Sequence, residues 1–416
     1  MPKFEKEFKS AIKALDAILL KHKPLRETLF SKKRKSINFD ILYKIVMETI
    51  KRLNYIDASI NKFAPKLSGS KKNILRAALC MEKFLKIKPP RLPADLKTIY
   101  HKALRYDPLE NVTNDYEYLA LKYYHPIWFI RSLEEIIGRE KLIRILEANN
   151  KPLKTKTIRI NTLRTTVEDF YKKWKELRRT ELPDIYEVQT NYLKKMLTSS
   201  DYSAGLFIVE SFPSAVTVYI LDPKPKELIL DACAAPGIKT THIASITSNK
   251  AKIIAAEIDP KRAQLLHKIG KKLGARYEII IADSIKPPLR NNIFDKTLVD
   301  APCSDTGVFR EQPDLKWRIT KKHVNIYSKI QKKILKAVIE KVRSGGTIVY
   351  STCSLMPQEG EEVIKQILEK PNIEIEPVKP PRAEKGYPKY PFSNRVARYY
   401  PYNNTNGFFI AKLIKH

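Results

Sequence analysis

Cysteine is scarce in this chain. Its four residues, Cys80, Cys233, Cys303 and Cys353 of 416, lie far apart. None forms the short Cys-x-x-Cys pair of most zinc sites, and so few thiols make no disulfide framework, so individual cysteines are expected and no metal is. Long apolar runs are missing as well. No stretch approaches the roughly 20 residues that span a bilayer, and the opening MPKFEKEFKS has no apolar signal core, so a cytoplasmic protein without a membrane partner is expected. Acidic residues are outnumbered, 45 against 78 Lys+Arg, leaving a formal charge of +33. That exceeds what solubility needs and points to a polyanionic partner such as nucleic acid, with a Lys-rich proteome as the plainer explanation. The first 100 residues hold 24 Lys+Arg against 9 Asp+Glu, which favours a docking surface there. Lys32, Lys33, Arg34 and Lys35, the densest run, read equally as a solvated loop or as a phosphate contact.

The length allows two or three domains, each with its own core. To about residue 150 apolar residues recur at helical spacing, as in Ala11, Leu15, Ile18 and Leu19, then Leu42, Val46, Ile50 and Leu53. The segment NILRAALCMEKFLKI is apolar on nearly all sides, so it is expected to form a central helix with Cys80 as a packing residue. The all-α domain is placed at 1–145. From 146 to 220 strands such as TIRIN mix with a charged helix around Val167 to Arg179 and the apolar LFIVESFPSAVTVYIL, giving a connecting α+β subdomain. From 221 to 416 seven β-rich runs, ELILD, KIIAAE, EIIIAD, KTLVDA, GTIVYST, NIEIE and GFFIAKL, alternate early on with helical segments. This predicts a Rossmann-like α/β domain with a mostly parallel seven-stranded sheet, whose ligands bind beyond the carboxyl ends of the strands. The Pro-rich stretch from Pro371 to Pro391 reads as a long loop before the last strand.

The first run leads into Cys233-Ala234-Ala235-Pro236-Gly237-Ile238-Lys239, a turn of small residues opening a helix, where a ligand can approach the backbone. About twenty residues on, Glu257 ends the second strand, where such folds place a carboxylate for ribose hydroxyls. A dinucleotide would need more glycines than Gly237 to cradle its pyrophosphate, so an adenosyl ligand without phosphate fits better. Asp283, after the third strand, is placed to receive an adenine amino group, and Asp300, after the fourth, lies near the reacting end. Each is equally readable as a turn-forming strand cap.

The fourth strand ends in Asp300-Ala301-Pro302-Cys303 and the fifth in Ser351-Thr352-Cys353, so two thiols are expected at adjacent ends of a parallel sheet, beside the cofactor loop. A free cysteine is usually a small buried hydrophobe, but two converging here suit methylation at carbon 5 of a pyrimidine. That carbon attacks a methylsulfonium only after a nucleophile adds at carbon 6, which a thiolate can do. Asp300 is placed to hydrogen-bond ring nitrogen 3 of the base. Spacing alone does not say which cysteine attacks.

DACAAPGIKTTHIA, AEIDPKR, LVDAPCSDTGVFREQPDLKWR, STCSLMPQEGEE and NGFFIAKL, preceded by HPIWFI and RINTLR, resemble the Sun-type (Fmu-like) family of RNA cytosine-5 methyltransferases with a NusB-like N-terminal domain. The resemblance spans nearly the whole chain. It implies that Cys353 is the nucleophile, that Cys303 assists product release, and that S-adenosyl-L-methionine is bound by Cys233 to Lys239, Glu257, Asp283 and Asp300, with Arg262 a neighbour. It further implies a NusB-like domain contacting RNA or protein, and a substrate in structured RNA, ribosomal or transfer; the enzyme could work as a monomer. Two positions depart from the family. Ile238 stands where a second glycine is usual, and would be strained if that position needs a positive φ. Gly360 replaces an Asn, which puts a polar contact behind Cys353 in question. Two competing readings are a non-catalytic RNA-binding assembly factor and a nucleotide-dependent oxidoreductase, the second of which leaves both cysteine motifs without a purpose.

Overall fold

Helical periodicity in the first part of the chain is realised as a bundle. The computed structural model describes residues 4–30 and 37–416, so the run Lys32 to Lys35 lies outside the described residues. Contacts divide the chain into two units, one made of residues up to Lys151 plus Val308–Lys321, the other of Pro152–Gly307 plus Lys322–His416.

In the first unit Ala11, Leu15, Ile18, Leu42, Val46 and Ile50 are buried, each from the apolar stripe of its helix. The central segment is the helix Gly69–Leu79 running into a π-helical turn at Cys80–Phe84. Cys80 is wholly buried, and burial pushes its thiol up to about 12, which suits a packing residue.

The segment Val308–Lys321, placed inside the 221–416 domain by the sequence, packs instead with these helices. Helix ends leave backbone groups without partners, and this segment supplies several. Asp314 accepts from Leu25 N at 3.4 Å, at the start of the helix Leu25–Phe30. Trp317 Nε1 donates to Ile50 O at 2.6 Å, near the end of Phe39–Lys51. Lys316 Nζ reaches Tyr124 O and Asn150 Oδ1 at 3.1 and 3.3 Å, and Arg310 Nε reaches Ala148 O at 2.7 Å. These carbonyls close the helices Asp115–Tyr123 and Arg139–Asn150; burial lowers Arg310 to about 10 and, with Lys51 and Arg52, pushes Lys316 well below the usual lysine range.

The second unit opens with a four-stranded antiparallel sheet: β1 (Thr155–Ile160), β2 (Arg178–Arg179), β3 (Ile185–Gln189) and β4 (Phe207–Val209), in the order β2-β3-β1-β4. The charged helix is shorter than its sequence suggests, Val167–Lys173. It stops because Trp174 turns into the core, where Nε1 donates to Asp201 at 2.8 Å.

The larger sheet comprises β5 (Leu228–Asp231), β6 (Lys252–Glu257), β7 (Glu278–Ile281), β8 (Phe294–Asp300), β9 (Val342–Thr352), β10 (Ile373–Glu376), β11 (Glu384–Lys385), β12 (Ala397–Tyr399) and β13 (Phe408–Lys415). All seven expected runs are strands, and β11 and β12 raise the number to nine. β11 lies inside the stretch expected to be loop, where a two-residue strand leaves no periodicity to read. The order is β11-β12-β13-β9-β8-β5-β6-β7, with β10 on β13. β7, β6, β5, β8 and β9 are parallel, and their apolar runs reflect burial on both faces. Because β5 has β6 on one side and β8 on the other, strand order reverses there, and the crevice beyond its carboxyl end is the binding position of such folds.

Candidate active site

Beyond β5 the chain turns through Cys233–Pro236 to Gly237, whose φ is +106°, and then enters the helix Ile238–Ile246. A Cβ on Gly237 would lie 2.6 Å from the movable tip of Leu266, so the turn needs glycine chiefly for its dihedral. Ile238 is the first helical residue and has no positive φ, so the strain its side chain could have caused does not arise.

A cleft of about 190 Å3 opens at this turn. It is lined by Val209, Glu210, Ser211, Ser214, Asp231, Cys233, Ala234, Ala235, Pro236, Ile238, Lys239 and Asp300. Glu257 is buried beneath the loop, accepting from Ala235 N at 3.3 Å and Asp259 N at 3.0 Å, while Arg262 donates to Ala235 O at 2.8 Å. Asp283 is exposed past the end of β7 and accepts from Ile285 N at 2.9 Å; neither it nor Glu257 lines the cleft.

Three carboxylates line the cleft: Glu210 is paired with Arg159, Asp300 with Lys239, and Asp231 has no cationic partner among the described residues. Asp231 Oδ2 accepts from Thr240 at 2.7 Å, but its buried Oδ1 has no partner. Burial pushes the Asp231 carboxyl up to about 7, opposed by the Thr240 bond and helped by the Asp300 charge. With Lys239 already held by Asp300, this acid-lined cleft disfavours phosphate and suits a ligand bearing hydroxyls, an amine and a sulfonium. The residues present therefore fit S-adenosylmethionine.

Asp300, at the end of β8, is held by Lys239 Nζ at 2.6 Å and by Ser351 Oγ at 2.8 Å, the latter from β9. Parallel pairing sets Asp300 opposite Ser351. Three residues after Asp300 and two after Ser351 come the two thiols, and their sulfurs are 2.9 Å apart. The expected convergence is therefore present.

Asp305, which the sequence reading did not single out, joins them: its Oδ1 lies 2.6 Å from Cys353 Sγ and 3.6 Å from Cys303 Sγ. The three donor atoms all lie within 4.8 Å of one another. A hydrogen bond with Cys353 favours the Cys303 thiolate, but burial and Asp305 outweigh it and push that thiol up to about 11. Cys353 is raised well above the ordinary thiol range by the hydrogen bond it donates to Cys303, by burial and by the Asp305 charge. At neutral pH both are thiols.

Behind them Glu359, also missed, ties the two loops together. Its carboxylate accepts from Ser304 N at 2.8 Å, from the Ser304 hydroxyl and from Ser354 Oγ at 2.5 Å, so the residue after each cysteine is fixed to one side chain. Gln331 joins Glu359 to Pro302 O at 3.2 and 2.8 Å. Gly307 N donates to Cys353 O at 2.9 Å, and a Cβ there would meet Gly407 O at 2.2 Å, so only glycine permits the approach. Glu359 lies in an acidic run that reads as solvated; nothing local marks one of its carboxylates as buried.

Residues 218–414 match the model of the 16S rRNA methyltransferase RsmB/F family, and residues 125–180 match the ferredoxin-like domain of RsmF/B-like methyltransferases. The ribosomal RNA small subunit methyltransferase B of Salmonella paratyphi B is 30% identical over 345 residues, covering 80% of this chain and 76% of that protein. The chain belongs to the RsmB/F methyltransferase family. It is an S-adenosylmethionine-dependent RNA methyltransferase, and the oxidoreductase and non-catalytic readings fall away. Among solved structures, the crystal structure of PH0851 superposes with a TM-score of 0.83 at 28% identity, covering 99% of this chain and 98% of that one. A methyltransferase homolog protein from Pyrococcus horikoshii gives 0.64 at 28% identity over 73% of this RsmB/F-family chain and all of its own. No helix among the described residues is long and apolar enough to cross a membrane.

Proposed function

We propose that this enzyme methylates carbon 5 of a cytosine in ribosomal RNA, with Cys353 as covalent nucleophile and Cys303 assisting release of the product. The 2.9 Å approach of the two sulfurs beside the acid-lined cleft carries the reading. Reactions needing a single base or a metal-bound water leave one of these thiols unexplained, whereas addition to carbon 6 followed by elimination uses both.

In this reading Cys233 to Lys239 form the floor for the cofactor, Glu257 beneath the loop and Asp283 past β7 stand at its adenosine end outside the cleft lining, and Arg262 holds the loop. S-adenosylmethionine supplies an electrophilic methyl group. Asp300, oriented by Lys239 and Ser351, hydrogen-bonds the cytosine edge, and Cys353 adds at carbon 6 so that carbon 5 becomes nucleophilic. After transfer the carbon 5 proton leaves and the Cys353 bond breaks. The helical unit, the NusB-like part of the proposal, supplies RNA contacts in keeping with its excess of Lys and Arg, and the protein works as a cytoplasmic monomer.

The test is incubation of the purified protein with methyl-labelled cofactor and a small-subunit ribosomal RNA transcript, followed by nucleoside analysis. Label in 5-methylcytidine is expected. Label confined to another nucleoside overturns the reading.

A further inference from the structure

Neither thiol is ionised at rest, so addition to carbon 6 needs somewhere for the Cys353 proton to go. Three carboxylates stand near the sulfurs. Glu359 contacts Ser304, Ser354 and Gln331, and Asp300 contacts Lys239 and Ser351. Asp305 faces the nucleophile itself, Oδ1 to Sγ 2.6 Å. Its placement is built. Its φ is +56°, a left-handed conformation that Asp tolerates better than most residues. On one side Ser304 is tied to Glu359, and on the other Thr306 Oγ1 meets Ser354 Oγ at 3.0 Å and accepts from Leu355 N at 3.0 Å.

We propose that Asp305 is a catalytic residue that takes the Cys353 thiol proton as the sulfur adds to cytosine and returns it as the sulfur leaves. The inference rests on Cys353 being the nucleophile. In the addition the S–H bond breaks, the proton moves to Asp305 Oδ1, the S–C6 bond forms and the C5=C6 pair shifts to C5. The pair on C5 then bonds the methyl group that the cofactor would supply; in the elimination the C5 proton is lost to solvent with Cys303 assisting, its bonding pair re-forms C5=C6, and the C6–S pair returns to sulfur, which recovers its proton from Asp305. A carboxylate is a weak base toward a thiol, so transfer has to accompany S–C6 bond formation rather than precede it. The same charge, together with Cys303 and burial, holds the resting thiol protonated, and Glu359 acts on the pair through Cys303.

These two effects of one side chain make the test selective. Asp305→Asn keeps the shape and tolerates the backbone, and Asp305→Gly suits the positive φ outright. Each is compared with the wild type in single-turnover methylation of the ribosomal RNA transcript, in the presence of a chelator, and in alkylation of Cys353 by iodoacetamide near pH 8, followed by peptide mass spectrometry. Methyl transfer is expected to fall about 100-fold while alkylation becomes faster, because the thiol has lost a neighbouring negative charge. Unchanged methyl transfer, or methyl transfer rising with alkylation, overturns the proposal. So does a parallel fall in both, which marks a packing role. If the wild type makes no 5-methylcytidine, the nucleophile reading itself has failed; if it does and the variants match it, only Asp305 has.

Discussion

Arg398 and Glu361 form an ion pair in which neither side chain has any exposure to solvent. The guanidinium also donates through Nη1 to Ser354 O at 3.1 Å, one residue past Cys353, and lies over the Tyr387 ring at 4.0 Å. Gly360 makes room for it, since a Cβ there would lie 2.6 Å from Arg398 Nη2. The polar contact behind Cys353 is therefore supplied by Arg398, and an Asn at 360 has no space. Gly360→Asn is expected to lower stability by about 1–3 kcal/mol through overpacking, read as a reduced denaturation midpoint at unchanged m-value. An unchanged midpoint would show that the pair has slack.

Trapping distinguishes the two thiols. With Cys303→Ala, release is impaired while addition is intact, so a covalent protein–RNA adduct should accumulate and survive denaturing gels. Cys353→Ala alone, and the double variant, should give none. An adduct persisting without Cys353 would reverse the assignment.

Gly237 carries the cofactor turn. Gly237→Ala imposes a side chain at φ +106°, a strained backbone, and also displaces the tip of Leu266. Titration calorimetry with S-adenosylmethionine is expected to show binding weakened by at least about 1 kcal/mol, from strain of the size such backbone outliers carry. Wild-type affinity in the variant would mean that the ligand does not depend on this turn.

Asp231 gives a pH dependence of definite sign. Its folded-state value, near 7, lies above that of an unfolded Asp. The folded protein then holds a proton that the unfolded chain has released, so this stabilising contribution is complete below about pH 4 and is lost as pH rises through 7. In ligand-free protein Asp231→Asn should melt higher than the wild type at pH 8, with the difference shrinking toward pH 5. Parallel melting curves across that range would remove Asp231 as the source.

Much of this was readable from residue order alone. Parallel strands are short apolar runs, so their ends were legible, and with them the meeting of Cys303 and Cys353. What was not legible depends on tertiary partners. Asp305 and Glu359 look like surface acids until the chain brings Cys353 and Ser304 to them. Ile238 looks suspect because a second glycine is usual at that position, whereas here the helix begins there with no positive φ. Residues 308–321 read as part of the catalytic sheet's connections because their neighbours in sequence are, but their Trp, Lys, Arg and Asp are matched to helix ends that lie far earlier in the chain.

That last match predicts the behaviour of a shortened protein. A chain beginning at Pro152 leaves Lys316 and Arg310 without the carbonyls of Tyr124, Asn150's amide oxygen and Ala148. Limited proteolysis should cut it within 308–321, where the full-length protein resists. Equal resistance would show that the segment finds other partners.

The arrangement also sets an order of events at the ribosome. Domains commonly fold as they emerge, amino-terminal first, yet here the helices up to Asn150 wait for Arg310, Asp314, Lys316 and Trp317 to be translated before their ends are satisfied. The first unit therefore closes only after most of the second has been translated, and a nascent chain arrested before Arg310 would carry an amino-terminal bundle still open to chaperones.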